Sequence, residues 1–86
     1  MGAMNSKYYH ADDHRPVTAE SYHDAAEIFA QRKARRLFGR RGQVAALQAG
    51  AYAQDGSCAE YQAFVGYPSG LRETTGRNVH FTIYYR

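Results

Sequence analysis

The chain contains one cysteine, no tryptophan and two prolines among its 86 residues. A single thiol, Cys58, cannot form an internal disulfide, so we expect noncovalent packing in a reducing compartment and hence a cytoplasmic protein. No uninterrupted apolar run approaches the ~18 residues of a membrane-spanning helix, and the N-terminus lacks the pattern of a secretory signal. We therefore expect no membrane partner. A chain of this length has room for one domain.

Aromatic residues supply much of the bulk that is available for a core. The chain contains eight tyrosines and four phenylalanines, whereas leucine, isoleucine and valine are few. Tyrosine buries apolar area but keeps a hydroxyl that needs a partner or water. Such a composition suits an interface between proteins as well as an interior.

Positive charge is concentrated in one short segment. The formal net charge is only +3, but residues 32–41 contain six basic side chains and no acidic one. Residues 1–31, by contrast, contain five acidic side chains against two basic ones. The six basic residues are Arg32, Lys33, Arg35, Arg36, Arg40 and Arg41.

One long helix is predicted over residues 22–38. Ser21 is a suitable N-cap, and Asp24 places an acidic side chain in the first turn. Apolar side chains recur at helical spacing through the segment, and Gly39 follows as a stop signal.

After the helix the apolar period becomes alternating, which predicts strands. In the first of them, Leu47 is expected on one side and Tyr52 on the other. The Asp55-Gly56 pair predicts a hairpin turn into a second strand. Residues 66–77 have the composition of a loop, and residues 78–85 alternate as a last strand.

These elements predict a two-layer α+β domain. One long helix packs on a three- to four-stranded antiparallel sheet, in the order (β)αβββ, where the strand before the helix is the optional one. Residues 1–15 are expected to be a loosely ordered N-terminal segment, and residues 16–86 a single α+β domain.

The leading functional hypothesis is a small non-enzymatic interaction module that self-associates or binds a protein. Its basis is the tyrosine-rich last strand, which has no following element to cover its edge and so offers a pairing site. Phe81, Tyr84 and Tyr85 are the predicted interface residues. A homodimer or another protein is the expected partner.

The second hypothesis is a nucleic-acid-binding protein that uses the six basic residues to contact the phosphates of DNA or RNA. Arg72 and Arg77 in the predicted loop would extend this surface. Aromatic and histidine side chains on an open sheet face would add base stacking, the candidates being Tyr52, Phe64, His80 and Tyr84. The alternatives are a solvated helix end that complements the helix dipole, and ordinary cross-strand packing.

A third hypothesis is a small-molecule-binding protein or enzyme with a site at a dimer seam. The sequence favours it least, because no phosphate-binding glycine loop is present and Cys58 has no base placed beside it by the sequence. We expect no catalytic residues and no cofactor.

Four side chains near the N-terminus have the composition of a metal-ligand cluster. They are His10, Asp12, Asp13 and His14. The aspartate pair and Pro16 disfavour the helix that would bring both histidines to one face, so we predict no metal site.

Overall fold

The computed structural model of the chain describes residues 6–10, 13–67 and 76–85. In chain order its elements are β1 (Ser6–His10), β2 (Asp13–Ala19), helix α1 (Tyr22–Phe38), a 3₁₀ turn (Gly39–Arg41), β3 (Gln43–Tyr52), β4 (Cys58–Gly66) and β5 (Arg77–Tyr85). The five strands form one antiparallel sheet in the spatial order β2-β1-β5-β4-β3. The predicted α+β class, with one helix followed by three strands, is confirmed.

Two strands precede the helix, where the predicted order (β)αβββ has one optional strand. β1 and β2 pair with each other at Tyr8 and Val17, and both of these side chains are buried. Residues 6–10 and 13–15 therefore belong to the sheet, although they fall within the segment predicted to be loosely ordered.

The last strand lies inside the sheet. β5 pairs with β4 from Arg77 to Tyr84 and with β1 from Ile83 to Tyr85. The argument that this strand has an uncovered edge at Tyr84 and Tyr85 is therefore wrong. The strand that covers it comes from the other end of the chain, and local sequence patterns carry no signal for such a distant pairing.

Helix α1 has the predicted bounds and caps. The Ser21 hydroxyl oxygen accepts a hydrogen bond from the Asp24 backbone N–H at 3.1 Å, and Gly39 ends the helix with a φ of 77°. Its buried face is Phe29 with four alanines, Ala25, Ala26, Ala30 and Ala34. Small side chains let the helix approach the sheet closely, where it packs on the buried side chains of β4 and β5.

The connection from α1 to β3 is tightly packed. A Cβ atom on Gly42 would overlap the backbone carbonyl of Ala34. The Gln31 side-chain amide donates a hydrogen bond to the Gly42 carbonyl oxygen at 2.9 Å. This turn therefore requires glycine and holds the end of the helix against the start of β3.

The β3–β4 turn is the predicted Asp55-Gly56 hairpin. Gly56 has a φ of 77°, and the Asp55 carboxylate accepts hydrogen bonds from the hydroxyl and backbone N–H of Ser57 at 2.7 and 3.0 Å. The hydroxyl of Tyr22 donates to the Gly56 carbonyl oxygen, so the start of α1 is attached to this turn.

Two irregularities interrupt β3. Its pairing with β4 shifts by one residue between Val44 and Ala46 and again between Ala49 and Tyr52. A bulge of one residue moves the following side chains to the other face. Tyr52 therefore lies on the helix side, against Tyr22, and the prediction that it faces away from Leu47 is wrong.

In the part of the chain that the structure describes, no helix is long and apolar enough to cross a membrane.

Candidate functional site

Strand β3 is an edge strand with an open side. It pairs with β4 along one side, and among the described residues no strand pairs with the other. Its ten residues include no charge and no proline, and eight of them are exposed. An edge of this kind presents unpaired backbone N–H and C=O groups, so it is a ready site for pairing with another chain.

The other edge strand, β2, has features that hinder pairing. Pro16 lies in its middle and cannot donate a backbone hydrogen bond. Asp13, His14 and Arg15 add ionisable residues to its first half. The Arg32 guanidinium also donates a hydrogen bond to the carbonyl oxygen of Arg15 at 2.9 Å. The two edges of one sheet are therefore chemically different.

A groove runs between the helix and β3. It has a volume of about 300 Å³ and is lined by Glu27 and Gln31 of the helix and by the β3 residues 44–47. Ile28, on the same stretch of helix, is 41% exposed although it is a large apolar residue. The open edge thus continues into a surface that has both apolar and polar groups.

The predicted basic segment divides into two parts. Arg32 and Lys33 are half-buried, and the Arg32 guanidinium lies 5.5 Å from the centre of the Phe29 ring as well as contacting β2. The other four side chains are exposed and make no ion pair with any described residue; they are Arg35, Arg36, Arg40 and Arg41.

Arg77 joins these four at the same end of the molecule. It begins β5 opposite Val65, next to the point where Gly66 pairs with Gln43 at the start of β3. Its side chain is exposed. We call Arg35, Arg36, Arg40, Arg41 and Arg77 the arginine end. Arg72, the other predicted extension, lies outside the described residues.

The opposite end is acidic. Glu20 and Asp24 lie at the start of α1, which the Tyr22 hydroxyl attaches to the turn that contains Asp55. We call these three carboxylates the acidic end. The hydroxyl and then the backbone N–H of Ser57 lower the pKa of Asp55, so this exposed carboxylate is ionised at neutral pH. The exposed arginines and these three carboxylates therefore lie at opposite ends of β3.

The predicted stacking residues do not share one face. Phe64, His80 and Tyr84 lie on the face away from the helix, whereas the Tyr52 hydroxyl shares a hydrogen bond of 2.7 Å with that of Tyr61 on the helix face. Burial, followed by this hydrogen bond, raises the pKa of Tyr61. Tyr61 is therefore a neutral core residue.

The predicted interface residues are also divided. Phe81 is buried, with 4% exposure, and Tyr84 is 43% exposed on the opposite face. The side chain of Tyr85 lies outside the described set. An interface formed by these three residues stays a prediction. The free edge of the last strand, on which the prediction was based, is covered by β1.

The register separates the groups that catalysis would need. Cys58 is opposite Tyr84, while His80 is opposite Gln62, four residues away along β5. At ~3.3 Å per residue this is about 13 Å, too far for a thiol and its base to share a proton.

No group of three potential metal ligands occurs among the described side chains. Asp12, and the side chains of His10, Asp13 and His14, lie outside this set, so the metal prediction is untested there.

No protein-family model, curated protein or solved structure matches this chain.

Proposed function

We propose that this chain is a small non-enzymatic interaction module that binds a second copy of itself through the open edge of β3. The observation that carries the proposal is a ten-residue edge strand without a charge or a proline, in a sheet whose other edge has both. Unpaired backbone groups on such a strand gain partners when another strand is added.

Charge supports a second copy as the occupant. The arginine end and the acidic end lie at opposite ends of β3, because Gln43 follows the arginine-rich turn and Tyr52 precedes the Asp55 turn. Two copies that pair through β3 in opposite directions place each arginine end beside an acidic end.

A lysine in the middle of β3 tests the proposal. Gln48 is exposed, so Gln48→Lys leaves the monomer intact but puts a lysine, which hinders strand pairing, on the open edge. Sedimentation equilibrium is expected to show a concentration-dependent dimer for the natural sequence and at least tenfold weaker association for the variant. The matched control is Thr18→Lys, which adds the same charge to an exposed position on β2.

A monomer at every concentration up to the millimolar range would contradict the proposal. Equal weakening by Gln48→Lys and Thr18→Lys would show that net charge, and not the β3 edge, controls association.

A second candidate function is nucleic-acid binding. The observation that favours it is the cluster of exposed arginines without an ion pair among the described residues, at the arginine end. A site that contacts four phosphates loses roughly 100-fold in affinity between 50 and 200 mM salt.

Fluorescence anisotropy with random duplex DNA and RNA at these two salt concentrations tests the second candidate. The Arg40→Gln variant is expected to reduce the salt dependence, whereas Arg15→Gln, which removes one charge from β2, is expected to leave it unchanged. Absence of binding at 50 mM salt would end this candidate.

A further inference from the structure

The direction in which two β3 strands pair follows from the charges at their ends, provided that the proposed self-association holds. Parallel pairing would bring two arginine ends together, with Arg40 and Arg41 of both copies at one place. Antiparallel pairing puts each arginine end next to the partner's acidic end, where Asp55 is ionised. Electrostatic repulsion disfavours the first arrangement, and attraction favours the second.

The position of the twofold axis follows from the bulges of β3. The regular part of the strand is Ala46–Ala49, between the two register shifts. Directly opposed residues of an antiparallel pair point to the same face. The twofold axis must therefore pass midway between one residue and the same residue of the other copy. The central residues are Leu47 and Gln48, and only Gln48 is exposed; Leu47 is half-buried beneath the helix.

We infer that two copies pair antiparallel through β3 with Gln48 opposite the partner's Gln48, and that Arg41 lies beside the partner's Asp55. The ten strands then form one continuous sheet with both helices on the same face. Arg41 lies in the turn two residues before β3 begins, and Asp55 lies in the turn three residues after it ends, so antiparallel pairing brings these two turns together at each end of the paired strands. Arg41 and Asp55 are both exposed.

The two helices reinforce this arrangement. α1 begins with Asp24 and ends with Arg35 and Arg36. Related by the twofold axis, the helices run in opposite directions, so the acidic start of one lies at the same end of the sheet as the basic end of the other. At each end of the paired sheet, the acidic start of one helix therefore attracts the basic end of the other.

A cysteine scan of β3 tests the position of the axis. In a Cys58→Ser background, Gln48→Cys places two thiols on directly opposed residues, where Cα atoms lie about 4.5–5.5 Å apart and a disulfide can form. Mild oxidation is expected to convert most of this variant to a covalent dimer. Ala46→Cys, on the same strand and face, is the control, because its two copies lie about 13 Å apart along the strand.

A charge exchange tests the contact at the ends. Arg40→Glu with Arg41→Glu in one protein, and Asp55→Lys in another, are each expected to dimerise about tenfold more weakly than the natural sequence. In an equal mixture, the two proteins are complementary at both ends and are expected to form a heterodimer at natural affinity. Because Asp55→Lys also removes the hydrogen bonds to Ser57, Gln54→Glu is a second variant, which is expected to tighten the homodimer two- to threefold.

The possible results separate the inference from the proposed function. A natural chain that stays monomeric overturns both. If Gln48→Lys weakens the dimer, association through β3 holds. If Ala46→Cys then forms a crosslink, or if mixing the two charge variants does not strengthen their association, the proposed antiparallel register is wrong.

Discussion

The two edge strands of the sheet, β2 and β3, differ in how far their residues hinder pairing with another strand. β2 has a proline in its middle, ionisable residues in its first half and a carbonyl that is hydrogen-bonded by Arg32. β3 is longer, uncharged and open along one side in the described structure, and Ala46–Ala49 forms a regular stretch between its two bulges. One edge is protected against pairing, and the other is suited to it. This difference is the reason that we propose β3, and not β2, as the edge that pairs with a second copy.

The largest expected effect on stability comes from truncating the buried face of helix α1, which packs against both edge strands. The buried face of α1 packs against the sheet around Phe29, which is 1% exposed, and the helix contacts β2 as well as β3. Phe29→Ala is expected to lower the free energy of unfolding by about 3–5 kcal/mol, as measured by urea denaturation. Ile28→Ala, one residue away but 41% exposed, is the control and is expected to change it by less than about 1 kcal/mol.

A smaller loss is expected from a change that acts at the start of β3 alone. Gly42→Ala places a Cβ atom against the backbone carbonyl of Ala34, so the turn between helix and strand must shift. We expect a destabilisation of about 1–3 kcal/mol in thermal or urea unfolding. Gly50→Ala is the control, because its Cβ would lie 3.4 Å from the nearest atom, the Glu60 carbonyl oxygen. Equal destabilisation by both variants would contradict the tight packing inferred at Gly42.

The contrast between the two edges can be tested by replacing the residues of β2 that hinder strand pairing. Pro16→Val together with Arg15→Val gives this strand the character of β3. Light scattering is expected to show larger assemblies than dimers, because each molecule then has two edges able to pair. The same two substitutions in a Gln48→Lys background should restore a dimer formed through β2. No increase in mass would show that Pro16 and Arg15 do not protect this edge.

The smallest expected effect concerns the tyrosine pair on the helix side of β3. Burial raises the pKa of Tyr61 in the folded protein above the value of about 10 for an unfolded tyrosine. The unfolded chain therefore loses this proton first, so the stabilisation is complete below pH 10 and falls as the pH rises further. Thermal unfolding between pH 8 and 11 should show a steeper alkaline loss for the natural sequence than for Tyr61→Phe. Identical profiles would contradict a raised pKa.

Local elements could be predicted from the sequence, and distant pairings could not. The helix from Tyr22 to Phe38 and the Asp55-Gly56 turn are confirmed because capping, periodicity and turn residues act over a few positions. The pairing of β1 with β5 joins residues at opposite ends of the chain, for which neither strand has a local signal. It removed the free edge predicted at Tyr84 and Tyr85.

A bulge of β3 explains why Tyr52 lies on the side opposite to the predicted one. Alternation in the sequence assumes a regular strand, and one added residue between Ala49 and Tyr52 reverses the side on which Tyr52 lies.

The arginine-rich segment was visible from composition alone. That Arg32 contacts β2 while Arg40 and Arg41 stay exposed depends on how the helix crosses the sheet.

Backbone hydrogen exchange at several protein concentrations tests the central claim most directly. If a second copy pairs with β3, the amides around Gln48 that do not bond to β4 exchange quickly in dilute protein and slowly at high concentration, while the exposed amides of β2 exchange at the same rate throughout. Amides of β3 that exchange equally fast at every concentration, or protection that appears on β2 instead, would contradict the account.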